Sequence, residues 1–181
     1  MANVVLVPVG AADEALLEYL TLMIGETLRC RTRLAPQPLS PDFAYDPVRR
    51  QHHSTALLSA LAETYRDGDS KILGVAEPDL FIPILTFVFG EAQLGGIASV
   101  ISVARLRQSY YGLPDDPEIY YHRAEKEALH ELGHTFGLIH CARYECVMHF
   151  SNGIEEVDLK GDRFCPSCAE KIGLPGDGGV A

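Results

Sequence analysis

The stretch PDDPEIYYHRAEKEALHELGHTFGLIH, residues 114–140, spells out one helix together with its start and its stop. Asp116 offers an N-cap carboxylate, and Pro117 suits the first helical position, where a missing N–H costs nothing. Gly137 can adopt φ > 0 and end the helix. The pattern predicts a helix over 117–136, about 30 Å long at 1.5 Å per residue. At 100° per residue Leu129, Leu132 and Phe136 share one face, and His130 and His134 lie opposite, one turn apart. Such a helix turns an apolar stripe to a core and two imidazoles to a cleft.

Outward from this helix, the chain reads as alternating strands and helices. Asn3–Val9 is an apolar, β-branched strand, and Ala11–Arg29 follows with helical spacing of Leu16, Leu20, Met23 and Leu28. A short strand is expected near Cys30–Leu34, then an irregular connection through Pro36, Pro38, Pro41 and Pro47. Val48–Tyr65 reads as a helix stopped by Asp67-Gly68-Asp69. Three apolar runs of strand length come next, at Lys71–Ala76, Ile84–Phe89 and Ile97–Ala104. Strands separated by helices, with a helix after the last strand, predict an α/β or α+β layered fold.

Composition narrows the partners. A chain of 181 residues is one domain's worth, and 47% hydrophobic against 22% charged residues excludes wholesale disorder. Twenty-five acids against fifteen bases give a net charge of −10, which argues against nucleic acid and anionic membrane. The first basic residue is Arg29, so the apolar opening lacks a signal peptide's positive flank. The uncharged run Ala92–Ala104 is too short to span a bilayer. A cytoplasmic protein is expected.

HELGH at 130–134 has the spacing of the metalloprotease helix. Residues i and i+4 are neighbours on a helix, so His130 and His134 can grip one Zn²⁺ at about 2.0–2.1 Å. Glu131 is rotated away from the ligand direction and can take a proton from a zinc-activated water. The motif extends to HELGHTFGLIH, with Gly137 and His140 in register. A helix cannot bring a residue ten positions on to the same ion, but a turn at Gly137 can deliver His140 from a loop. Three histidines leave a fourth position open, the arrangement of a catalytic zinc.

Four of the five cysteines, Cys141, Cys146, Cys165 and Cys168, crowd into 141–168. C-x₄-C with C-x₂-C suits a closed tetrahedral site with Zn–S near 2.3 Å, ahead of a redox C-x-x-C pair or two disulfides. Because His140 and Cys141 are adjacent, metal binding is expected to couple to the folding of the last forty or so residues. Cys30 reads as a buried small hydrophobe at a helix end. A nucleic-acid finger is disfavoured, since residues 141–171 carry four bases (Arg143, Lys160, Arg163, Lys171) against six acids.

HExxHxxGxxH followed by a methionine, Met148, resembles the metzincin metalloproteases, and the added cysteines resemble the archaemetzincins closely. The resemblance implies a single compact metzincin-like domain over 1–181 with a twisted, mostly parallel sheet. Residues 1–137 would end with the active-site helix, and 138–181 would form a zinc-bound C-terminal subdomain. It implies two Zn²⁺ per chain, catalytic on His130, His134 and His140 and structural on the four cysteines, with Met148 as an apolar floor. It implies a peptidase acting on a peptide or protein substrate, with Glu131 as general base. By the same similarity a peptide would add along an edge strand at Ile84–Gly90, although Phe87 and Phe89 read as core. The rival is a zinc-stabilised peptide-binding module without efficient catalysis, for which Glu131 would be superfluous. Around the motif, His149 reads as supporting or surface, His122 as surface and His52-His53 as solvated on a helix. Tyr120, Tyr121 and Tyr144 are the candidate oxyanion partners.

Overall fold

In the computed structural model, which describes residues 2–175, the alternating pattern folds into one layered α/β unit. Residues 176–181 of the expected C-terminal subdomain lie outside the described residues. Strand β1 (Val4–Val9) is apolar along its length because both faces are covered. Helix α1 (Glu14–Leu28) starts at Asp13, whose carboxylate accepts from the Ala15 and Leu16 N–H groups, and stops at left-handed Arg29. Then come β2 (Thr32–Leu34), β3 (Tyr45–Asp46), β4 (Gln51–His53) and α2 (Ser54–Thr64). After these come β5 (Lys71–Ala76), β6 (Leu80–Phe81), β7 (Gly90–Ala92) and β8 (Ala98–Ser102). Helix α3 (Pro117–Thr135) leads to the short α4 (Ile154–Leu159) and α5 (Pro166–Lys171).

The main sheet runs β2-β1-β5-β8-β7, parallel except for the antiparallel edge strand β7. Alternation along β1 splits the core in two. Val4 and Leu6 pack with Leu16, Leu20, Ile24, Leu129 and Leu132 under α1 and α3. Val5 and Val7 pack with Leu57, Leu58 and Leu61 under α2. A smaller sheet, β3-β4-β6, lies beside this frame.

Two expectations need correction. The helix expected over 48–65 begins only at Ser54, because the Asp46 carboxylate takes the Val48 and Arg49 N–H groups in a turn and sends 51–53 back antiparallel to 45–46. His52 and His53 therefore sit half-buried in β4, not solvated on a helix. The run Ile84–Phe89 is not a strand. Leu85 N–H closes a turn onto Ile82 O, and the Arg49 guanidinium holds the Leu85 and Pro83 carbonyls at 2.8 and 3.2 Å. Ile84 is left exposed while Phe89 is buried, so the core reading of Phe89 holds. The edge strand starts at Gly90. Among the described residues no helix is long and apolar enough to cross a membrane.

Both ends of α3 are tied by side chains. The Asp116 carboxylate accepts from the Glu118 and Ile119 N–H groups at 3.0 and 3.2 Å. At the other end the Lys71 ammonium donates to Thr135 O at 2.9 Å and to Gly96 O at 2.7 Å, a cation at the negative end of the helix dipole. Asp116→Ala is expected to lower unfolding free energy by about 1 kcal/mol, read by urea denaturation. Lys71→Met, which leaves two carbonyls without their donor, is expected to cost about 1–3 kcal/mol in the same assay.

Candidate metal centres

Helix α3 carries His130, Glu131 and His134 toward one cleft of about 640 Å³. His130 Nδ1 lies 2.8 Å from Val147 O, and His134 Nδ1 lies 2.7 Å from Leu138 O. A carbonyl oxygen only accepts, so each Nδ1 bears the hydrogen and each Nε2 presents a lone pair. The two Nε2 atoms are 3.2 Å apart. A tetrahedral ion with metal–nitrogen bonds of about 2.0–2.1 Å would hold them roughly 3.3 Å apart. The donor geometry fits.

His140 completes the set as the sequence predicts. Gly137 has φ +91, a conformation costly for any residue with a Cβ, and the Gly137 and Leu138 N–H groups close the helix onto His134 O and Gly133 O. The chain then doubles back, and the ligand nitrogens of His130, His134 and His140 come within 4.8 Å of one another. Burial holds all three imidazoles below their ordinary pKa, His130 furthest, and the Lys160 ammonium pushes in the same direction. Neutral imidazole is the form that binds a metal. Met148 is fully buried against Gly133, between the turns of α3 that bear the two histidines.

Glu131 is also buried, yet among the described residues nothing hydrogen-bonds its carboxylate. Burial raises its pKa well above the ordinary carboxylate value, the Glu127 carboxylate adds to this, and the Lys160 ammonium opposes it. Its side chain lies against Gly90, where an added Cβ would fall 2.5 Å from Glu131 Cγ. A glycine is required at that step of β7, and β7 forms one wall of the cleft. Leu85, Val88, Leu94, Ile139 and Phe150 give the cleft an apolar rim.

The four cysteine sulfurs form a second cluster within the same 4.8 Å limit. The Cys141 and Cys165 sulfurs are 4.0 Å apart, near the roughly 3.8 Å set by a tetrahedral site with bonds of about 2.3 Å. No disulfide joins them. Burial alone would push the Cys165 thiol up. The Cys168 N–H and the thiols of Cys168, Cys146 and Cys141 instead hold it down at about 7. Burial pushes the Cys146 and Cys168 thiols the other way, so it is the convergence of four sulfurs that suits a soft divalent ion. The clusters are linked through one residue: the Val147 carbonyl accepts from His130, and the Val147 N–H, next to Cys146, donates to Arg163 O at 2.8 Å.

The other named residues fall outside the cleft. His149 Nδ1 bonds Cys141 O at 3.0 Å beneath the ring of Tyr144, and His122 is exposed. Tyr120 is buried beside Tyr121 under the Arg107 guanidinium, and none of the three tyrosines lines the cleft. Cys30 packs half-buried at the end of α1. Sequence reading missed Lys160, Glu127 and Glu91, all of which line the cleft. The available signal was Glu127, which sits four residues before Glu131 and so puts a second acid on the cleft face of α3.

A family model described as peptidase family M54 matches residues 19–173. The archaemetzincin of Methanocaldococcus jannaschii is 42% identical over 165 residues, covering 91% of this chain and 89% of that protein. The solved archaemetzincin structure from Archaeoglobus fulgidus is 34% identical and superposes with a TM-score of 0.81, over 93% of this chain and 99% of that one. A solved zinc-dependent peptidase from Methanocorpusculum labreanum is 25% identical with a TM-score of 0.82, over 93% and 99% of the two chains. Matched in sequence and in fold along nearly its whole described length, the chain belongs to the archaemetzincins, peptidase family M54, and is a zinc-dependent metallopeptidase.

Proposed function

We propose that this chain hydrolyses peptide bonds at a zinc ion held by His130, His134 and His140, with Glu131 as general base and general acid in turn. The supporting observation is Glu131: a largely buried side chain whose carboxylate carries no hydrogen bond and shares the cleft with the paired Nε2 lone pairs. When bound, zinc would lower the pKa of a water toward about 7 and polarise the scissile carbonyl. Glu131 takes the proton of the attacking water and hands it to the leaving amine nitrogen. Its raised pKa suits the first half of that task, because a carboxylate with greater proton affinity is the stronger base toward the attacking water.

The substrate is a peptide or protein in extended form. β7 is the edge of the main sheet, so its free side can pair with a substrate main chain laid across the cleft. The apolar rim receives the side chains. In the same reading Cys141, Cys146, Cys165 and Cys168 hold a second, structural zinc, and Met148 floors the catalytic one.

Glu131→Gln is expected to cut kcat by at least about 10²-fold with full metal content, measured on a peptide pool by mass spectrometry alongside elemental analysis. Retained turnover would reject the base assignment. Cys168→Ser is expected to drop zinc from two ions per chain to one and to lower Tm. An unchanged metal count would reject the four-cysteine site.

A further inference from the structure

Lys160 has 0% side-chain exposure, a depth at which a lysine needs a counter-charge. That charge comes from Glu127, itself 4% exposed, with a carboxylate oxygen 2.7 Å from the Lys160 ammonium. The two atoms are paired by charge without hydrogen-bond alignment, and neither has another partner. Both residues line the cleft with Glu131. Glu127 and Glu131 are four apart on α3, so two buried carboxylates share one helix face, and like charges so placed repel. The third acid of the cleft, Glu91, is held by the Ser54 and Thr55 hydroxyls, so one ammonium is left for two acids, and it goes to Glu127.

The backbone that carries Lys160 is laced to the cysteine-bearing loop. Lys160 N–H closes α4 onto Glu156 O, the next N–H donates to Tyr144 O at 2.8 Å, and Arg163 O receives Val147 N–H. The ammonium is thus delivered to the cleft from between Cys146 and the Cys165–Cys168 pair.

We infer that Lys160 is a positioning residue for the peptidase reaction: by holding Glu127 it keeps that carboxylate off Glu131 and leaves Glu131 turned, unpaired, to the cleft. This rests on the reading of Glu131 as general base. The one-to-two stoichiometry has two consequences. Without the ammonium, a proton from solvent replaces it as the counter-charge of the buried Glu127, and the neutral acid donates a hydrogen bond to Glu131. Without Glu127, the ammonium captures Glu131. Either loss engages the base, and losing both sets it free again.

The test compares the zinc-loaded wild type with Lys160→Met, Glu127→Gln and the double variant. Each is assayed for kcat and KM on one cleaved peptide, for zinc per chain and Tm, and by crystal structure. Each single variant is expected to lose about tenfold or more in kcat with KM within about twofold, and the double to return to within about threefold of wild type. In the crystals, Glu131 is expected within hydrogen-bond distance of Glu127 in Lys160→Met and within 4 Å of the ammonium in Glu127→Gln. In the double variant it stands as in the wild type. Singles with Glu131 unmoved, or a double no more active than the singles at equal zinc content, would overturn the inference. A packing role alone would lower Tm without this reciprocal rescue. Should Lys160→Met fail to fold, Glu127→Gln against the double variant carries the same comparison. A wild type that cuts nothing would reject the general-base reading, while the crystal structures would still decide whether Lys160 positions Glu131.

Discussion

A straight helix can offer two histidines to one ion but never three, and that limit governs the architecture around the cleft. The third donor has to return from beyond the helix, so the chain must stop abruptly and double back. Gly137 makes the stop, and the N–H groups of Gly137 and Leu138 seal the last turn. The ammonium of Lys71 and the Gly95 N–H, which bonds His134 O at 2.9 Å, pin that turn to the sheet. Residues 138–153 hold no regular helix or strand, and their order comes from the buried side chains of Leu138, Cys146, Val147 and Met148 together with backbone bonds to α3 and to 161–163.

The C-terminal stretch is fastened to α3 by a row of charges beside the buried side chains of Val157 and Phe164. Arg123 grips Asp158 through two nitrogens at 2.6 and 2.7 Å, Lys126 caps the carbonyls of Val157 and Asp158, and Glu125 joins Arg163 to Tyr19. Glu127 with Lys160 continues the row. Only the Glu127–Lys160 pair is buried on both sides, and a pair of that kind adds little net stability against an apolar alternative, although breaking it by removing a single partner costs about 3–5 kcal/mol. Such a row permits one register between α3 and residues 157–163. An apolar seam would tolerate sliding by a turn, and sliding would carry Val147 away from His130.

Legibility in the sequence tracked the range of the interactions. The α3 helix, its cap, its stop and the seven residues of the two candidate metal clusters were readable, because i, i+4 spacing and C-x₂-C spacing are local. The alternating strands and helices were readable for the same reason, since β1, β5 and β8 are continuous apolar runs. Errors arose where a side chain bonds backbone far away or out of pattern. An Asx turn at Asp46 overrode the helical look of 48–53, and the Arg49 guanidinium bent 83–85 out of a strand. Lys160 was invisible because a lysine after a short helix reads as solvated. Only tertiary structure puts it opposite Glu127, thirty-odd residues upstream.

The edge strand β7 is three residues long and opens on a cleft, with the bend at 83–86 on one side and the Gln93–Gly96 turn on the other. Strands this short are poor templates for joining two folded copies side by side, so the exposed ladder carries little aggregation hazard. Under the proposed pairing along β7, the same brevity limits main-chain recognition to a handful of hydrogen bonds, which leaves discrimination among substrates to the side chains that meet the apolar rim.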